Sequence, residues 1–98
     1  MITLPTNPSA IDVIDNYLGQ TFDSHEFIQK FIKYHEREYV EGLYSAIDSA
    51  GGIFRAYHAK IGRLLADNQK TLGIRPIESV TSLNIKDYES ENMMWTKA

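Results

Sequence analysis

The stretch Phe22-Asp23-Ser24-His25-Glu26-Phe27, running on to Ala50, decides the fold. Asp23 is placed to cap a helix, with Glu26 as its N3 partner. Each carboxylate then accepts from the other residue's amide and satisfies donors that a first helical turn leaves orphaned. Phe22 falls at N′ and Phe27 at N4, the two positions of a hydrophobic staple. Downstream, Ile28, Ile32, His35, Tyr39, Leu43 and Ala46 recur at spacings of three and four, which makes one apolar stripe. Lys30, Lys33, Arg37, Glu41 and Asp48 fall on the opposite arc. The pattern predicts one long helix from Ser24 to about Ser49. Gly42 inside it costs up to about 1 kcal/mol against alanine. Close approach of another helix is the expected compensation; a kink is the alternative.

Gly51-Gly52 is the strongest break in the chain. A third helix follows, about Ile53 to Leu72, with Phe54, Tyr57, Ile61, Leu64, Leu65 and Leu72 on its apolar arc. Gly73 closes it, and Pro76 lies just beyond. So short a joint predicts that the second and third helices fold back as an antiparallel hairpin. Toward the N-terminus, residues 1–7 read as an extended lead-in. Asn7 before Pro8 is a favoured helix start, with Ser9 and Asp12 a competing cap. The first helix is expected over about Pro8 to Leu18, ended by Gly19.

Residues 74–98 are harder to read. Ile74, Ile77, Val80, Leu83 and Ile85 match neither the helical nor the strand period. Ser79 to Ile85 suits one short strand, partnered by residues 1–6 or by a second copy. The fold expected from these signals is mainly α. It is a single helical domain over 1–98, three helices with a long antiparallel helical hairpin and an irregular C-terminal extension holding at most one short strand.

Composition narrows the function classes. Ninety-eight residues make one modest core. A net charge of −3 excludes a polycation that must seek nucleic acid or anionic lipid. The lack of cysteine excludes disulfides, thiolate catalysis and cysteine-based zinc sites, and it fits a reducing cytoplasm. No apolar run approaches the roughly 20 residues of a membrane span. Met1 to Pro5 lacks the basic and apolar regions of a secretory signal.

The catalytic inventory is thin. Of His25, His35 and His58, only His35 falls on a core-facing stripe, where a tyrosine hydroxyl or a carbonyl would satisfy it. No G-x-S-x-G element is present. His35 with Glu38 gives two metal ligands, short of the three or four that a stable site needs. Gly51-Gly52 lacks both phosphate-binding glycine patterns. No enzyme activity, cofactor or metal is therefore expected. Two binding surfaces remain. Surplus aromatic and methionine side chains, Tyr44, Met93, Met94 and Trp95, suit an interface between two copies. The third helix carries Arg55, Lys60, Arg63 and Lys70 against one acid, Asp67, an arc that suits phosphates. The leading expectation is a cytoplasmic, non-enzymatic interaction module that forms a homodimer. The alternative is a small DNA-binding or accessory regulator using the basic face of helix 53–72.

Overall fold

The Phe22–Phe27 junction is a strand-to-helix joint. In the computed structural model, which describes residues 1–98, Thr21–Asp23 form a short strand, β1, and helix α2 begins at once, Ser24–Tyr34. The Asp23 carboxylate accepts from the Glu26 amide at 2.8 Å, and the Glu26 carboxylate accepts from the Asp23 amide at 3.3 Å. Phe22 and Phe27 are both fully buried. Before the joint lies α1, Asn7–Tyr17; after it come α3, Glu36–Ser45, α4, Ile53–Asp67, and the single turn α5, Gln69–Leu72. The chain ends in two long strands, β2, Ile74–Leu83, and β3, Glu89–Lys97.

The fold is α+β, 52% helical and 22% strand, not mainly α with a long helical hairpin. Residues 74–98 are not an irregular extension. They form an antiparallel hairpin whose second strand is the centre of a three-stranded sheet, ordered β1-β3-β2. The strand expected at 79–85 is the second half of β2, which ends at Leu83 with Asn84 and Ile85 in the turn, and it finds its partner in the same chain. A bulge between Pro76 and Glu78 breaks the alternation, and beyond it Val80 and Leu83 fall on opposite faces of the strand while Ile85 lies in the turn. One extra residue, Ile77, shifts the two-residue alternation by one in the first half of β2. The connecting turn is made by Asn84, whose carboxamide oxygen accepts from the Lys86 and Tyr88 amides, and by Asp87 at φ 63°.

Both long helices expected from periodicity are interrupted. The second breaks at His35 (φ −133°, ψ 49°). The apolar stripe passes through the break without changing phase, so periodicity alone does not reveal it. Two ties to α1 hold the break in place. The His35 ring lies 2.8 Å from the Asp12 carboxylate, and Glu38 accepts from the Thr6 amide (2.8 Å) and the Ser9 hydroxyl (2.6 Å). Glu36 and Glu38 then sit in the first turn of α3, where the helix dipole favours acids. The third breaks at Asn68 (φ −120°), whose side-chain amide donates to the Leu64 carbonyl at 2.8 Å. Residues 53–72 are therefore not one continuous helix. Gly73 does end α5 in the left-handed conformation, at φ 68°. The cap of α1 is Thr6, whose hydroxyl accepts from the Ser9 amide, so Pro8 follows at the second helical position rather than the first.

One cluster of 16 buried residues joins all the layers, from Ala10, Val13 and Ile14 of α1 to Ile61 and Leu65 of α4 and Trp95 of β3. The reversal after α3 brings α4 against α3 at Gly42. A Cβ there would collide with the Tyr57 ring and hydroxyl. Tyr57 is fully buried and its hydroxyl has no partner. No helix is long and apolar enough to cross a membrane.

Gly42→Ala should therefore destabilise by about 1–3 kcal/mol through overpacking, outweighing alanine's better helix propensity. Tyr57→Phe, which removes an unsatisfied buried hydroxyl, should be neutral or stabilising. Urea unfolding of the two variants beside the parent chain checks both signs.

Candidate functional site

Between α4 and the β2–β3 hairpin the structure opens a groove of about 720 Å³. One wall is α4, with Phe54, His58, Ala59, Gly62 and Ala66 facing in. The other is the hairpin, from Asn84 to Lys86 at the turn and from Ser90 to Met93 along β3. The start of α2, with Ser24, His25 and Ile28, and the edge of Trp95 complete the lining. The hairpin turn reaches across to the first turn of α4, where the Lys86 ammonium lies 5.4 Å from the centre of the Phe54 ring.

Most polar groups in the groove hold the scaffold. The His25 ring sits between Ser82 (2.8 Å) and Ser90 (3.3 Å), while its amide donates to the Asn92 side chain at 3.0 Å. Asn92 in turn donates to the Ser82 hydroxyl and Asn84 to that of Ser90. This network pins the hairpin to the start of α2. Trp95 donates its indole N–H to the Ser24 hydroxyl at 2.9 Å, a fully buried bond.

His58 lies at the back of the groove. Its Nε2 is 2.8 Å from the Tyr39 hydroxyl. Tyr39 has no other acceptor for its proton, so it donates to Nε2 and His58 carries its own proton on Nδ1. Burial, helped by the nearby His25, pushes the His58 pKa down to about 4. Burial likewise pushes the Tyr39 phenol up to about 12. Both groups are neutral at pH 7. Outside the groove, the hydrogen bond from His35, then that from Asn16, holds the Asp12 carboxyl below its ordinary value.

The residues singled out in the sequence are dispersed. Arg55 lines the groove, and Lys60 and Arg63 lie exposed along α4. Lys70 stands on α5, beyond the break at Asn68, so the four cations do not share one helix. None of them is ion-paired; the contacts within ion-pair distance are His35–Asp12 and Arg37–Glu41. Asn68 and Gln69 both donate to backbone carbonyls of α4. Of the expected interface set, Tyr44 is 72% exposed, whereas Met93 and Met94 are half-buried. Trp95 is 2% exposed and belongs to the core, because the indole is packed and bonded at the β1–β3 pairing. His35 is satisfied by a carboxylate, and His58 takes the tyrosine hydroxyl. No group of three or more histidine and acidic side chains converges as a metal site. Sequence reasoning missed the groove because its hairpin wall was not recognised.

No protein family, curated protein or solved structure matches the chain.

The depressed His58 pKa has a definite sign. Between pH 6.5 and about 4 the unfolded chain binds a proton at His58 that the folded chain refuses, so stability is present above this window and falls as pH is lowered through it. His58→Gln, which keeps an acceptor for Tyr39, should flatten the melting-temperature profile between pH 6.5 and 4. An unchanged slope would place the titrating group elsewhere.

Proposed function

We propose that this protein is a small non-enzymatic interaction module that self-associates. The observation that carries the reading is the outer edge of β2. This strand is ten residues long, lies at the end of the sheet and has no neighbour on its outer side. Such an edge presents unpaired amides and carbonyls that a second strand completes. Its first half is guarded by Arg75, Pro76, the bulge and Glu78. Its second half, Ser79 to Leu83, is uncharged, free of proline and rich in residues that favour strands. Two copies pairing this half antiparallel about a two-fold axis join their three-stranded sheets into one of six strands. Exposed Ile77 and Leu83 lie on the same strand. Tyr44, with Val40 and Ile47 four before and three after it, offers a second exposed apolar stripe. The non-enzymatic part is supported by the histidines, each already engaged by a scaffold partner. The absence of cysteine favours the cytoplasm.

A second reading, binding of duplex DNA by the basic face of α4, is favoured by one observation. Arg55, Lys60 and Arg63 stand on one helix with no carboxylate in ion-pair range.

One experiment separates them. Sedimentation equilibrium at micromolar concentration should find the parent chain dimeric. Thr81→Lys with Leu83→Lys should be a folded monomer, since each lysine meets Glu91 or Glu89 across the β2–β3 pair, whereas an edge self-paired over Ser79–Leu83 sets the two copies of the lysine at 81 directly opposite each other and crowds four added cations along one seam. A parent chain that stays monomeric at high micromolar concentration overturns the reading. Titration of the same samples with a DNA duplex at two salt concentrations tests the second. Salt-dependent binding lost on Arg55→Ala, Lys60→Ala and Arg63→Ala supports it, and no binding at low salt removes it.

A further inference from the structure

The two interior helical glycines behave differently. Gly42 is obligatory, because the Tyr57 ring occupies the space of its missing side chain. Gly62 stands in the middle of α4 with ordinary helical backbone, and a Cβ added to it meets nothing within 4 Å. Nothing in the folded chain requires glycine at 62, yet glycine is the worst non-proline choice for a helix interior. Its one structural consequence is space. With Ala59 and Ala66 it keeps the α4 wall of the groove flat and the groove open. A residue that weakens local structure without serving internal packing marks a functional constraint.

The unoccupied valences of the groove define what it takes. His25, Ser24, Ser90, Asn84 and Asn92 are committed to scaffold hydrogen bonds. Four polar groups are not. The Arg55 guanidinium and the Glu91 carboxylate make no bond or ion pair. The Lys86 ammonium rests only against the Phe54 ring. The second ring nitrogen of His58 has no protein partner, and by the tautomer argued above it is a neutral N–H donor. Two cations and a donor thus face one carboxylate, a balance that attracts a single negative charge. The remaining lining is apolar: Ile28, Phe54, Ile85 and Met93, with the edge of Trp95. A slot between a flat helix face and a β-hairpin, lined by an aromatic ring and a thioether, suits a planar ring system. Its volume falls in the range of small-molecule sites.

We propose that this groove is a binding site for a small planar aromatic monocarboxylate, whose ring lies against Gly62 between α4 and β3 and whose carboxylate is held at the Arg55–Lys86 mouth. Arg55 offers the planar fork that matches a carboxylate with two parallel bonds. Lys86 adds charge and, from the hairpin turn, closes the end of the slot over Phe54. Glu91 disfavours dianions, so the site discriminates a carboxylate from a phosphate monoester. The site lies on the β3 side of the hairpin, away from the free edge of β2, and it stands or falls independently of self-association.

The test is an NMR titration of the full chain with 2-naphthoate at neutral pH. Saturable shifts at submillimolar ligand are expected, confined to Ser24–Ile28, Phe54–Ala66, Asn84–Lys86 and Ser90–Trp95. Arg55→Gln and Lys86→Gln, both at exposed positions, should each weaken binding about tenfold, the loss of one charge-assisted contact. Gly62→Leu should raise the melting temperature and abolish binding, because it strengthens the helix while filling the slot. The neutral analogue 2-naphthylmethanol should bind at least tenfold more weakly than the acid. No saturable binding, equal binding of acid and alcohol, or undiminished binding by a folded Gly62→Leu variant would each overturn the proposal. Should that variant fail to fold, the two glutamine variants decide: affinity equal to the parent refutes the site.

Discussion

Trp95 is the point at which sheet and helices become one structure. Its backbone pairs with Phe22 of β1 on one side and Pro76 of β2 on the other. Its indole N–H ends on the hydroxyl of Ser24, the first residue of α2. A buried tryptophan removes about 200 Å² from water, worth roughly 5 kcal/mol at about 25 cal/mol per Å². The hydrogen bond contributes less, about 1 kcal/mol net, but it decides register. A slip of β3 by one residue turns the indole to the opposite face and leaves both Trp95 and Ser24 without partners. Further bonds secure the same end of the sheet. Lys97 donates from its amide to the Gln20 carbonyl and from its ammonium to the Leu18 carbonyl at the end of α1.

The hairpin depends on this anchor. β1 pairs only with Met94 to Thr96, so most of β3 runs on beyond it, with only β2 along its side. The His25–Ser82–Ser90–Asn92 network braces that overhang against the start of α2. The overhang in turn makes the groove, because it holds a strand pair opposite α4 without packing onto it. The groove is thus a consequence of where the sheet is fastened. α4 contributes by being built from small residues on that side.

What was legible in the chain was local chemistry. The Asp23–Glu26 capping box, the burial of Phe22 and Phe27 and the left-handed Gly73 all follow from short-range patterns and all are present. What was illegible is set by distant partners. The break at His35 is held by Asp12, 23 residues earlier, and by Glu38 reaching back to Thr6 and Ser9. The break at Asn68 rests on one side-chain amide competing for a helical carbonyl. β2 hides its alternation behind a bulge, and β3, with Glu89, Glu91 and Asn92, has little intrinsic strand preference until its neighbours impose it. Asn84 and Asp87 were the available turn signals. The groove needed the hairpin to be seen, so only three of its residues, Arg55, Met93 and Trp95, were among the binding candidates singled out in the sequence, and all three for other reasons.

Because the chain has one tryptophan, its anchor can be observed directly. The measurement is hydrogen exchange of the Trp95 indole N–H, followed by NMR in the native protein. A fastened sheet gives one indole resonance, exchanging only through global unfolding, with an opening free energy equal to that from urea denaturation and a close approach to the Ser24 side chain. An indole proton that exchanges as fast as in an unfolded peptide, while the helices remain protected, would contradict the account.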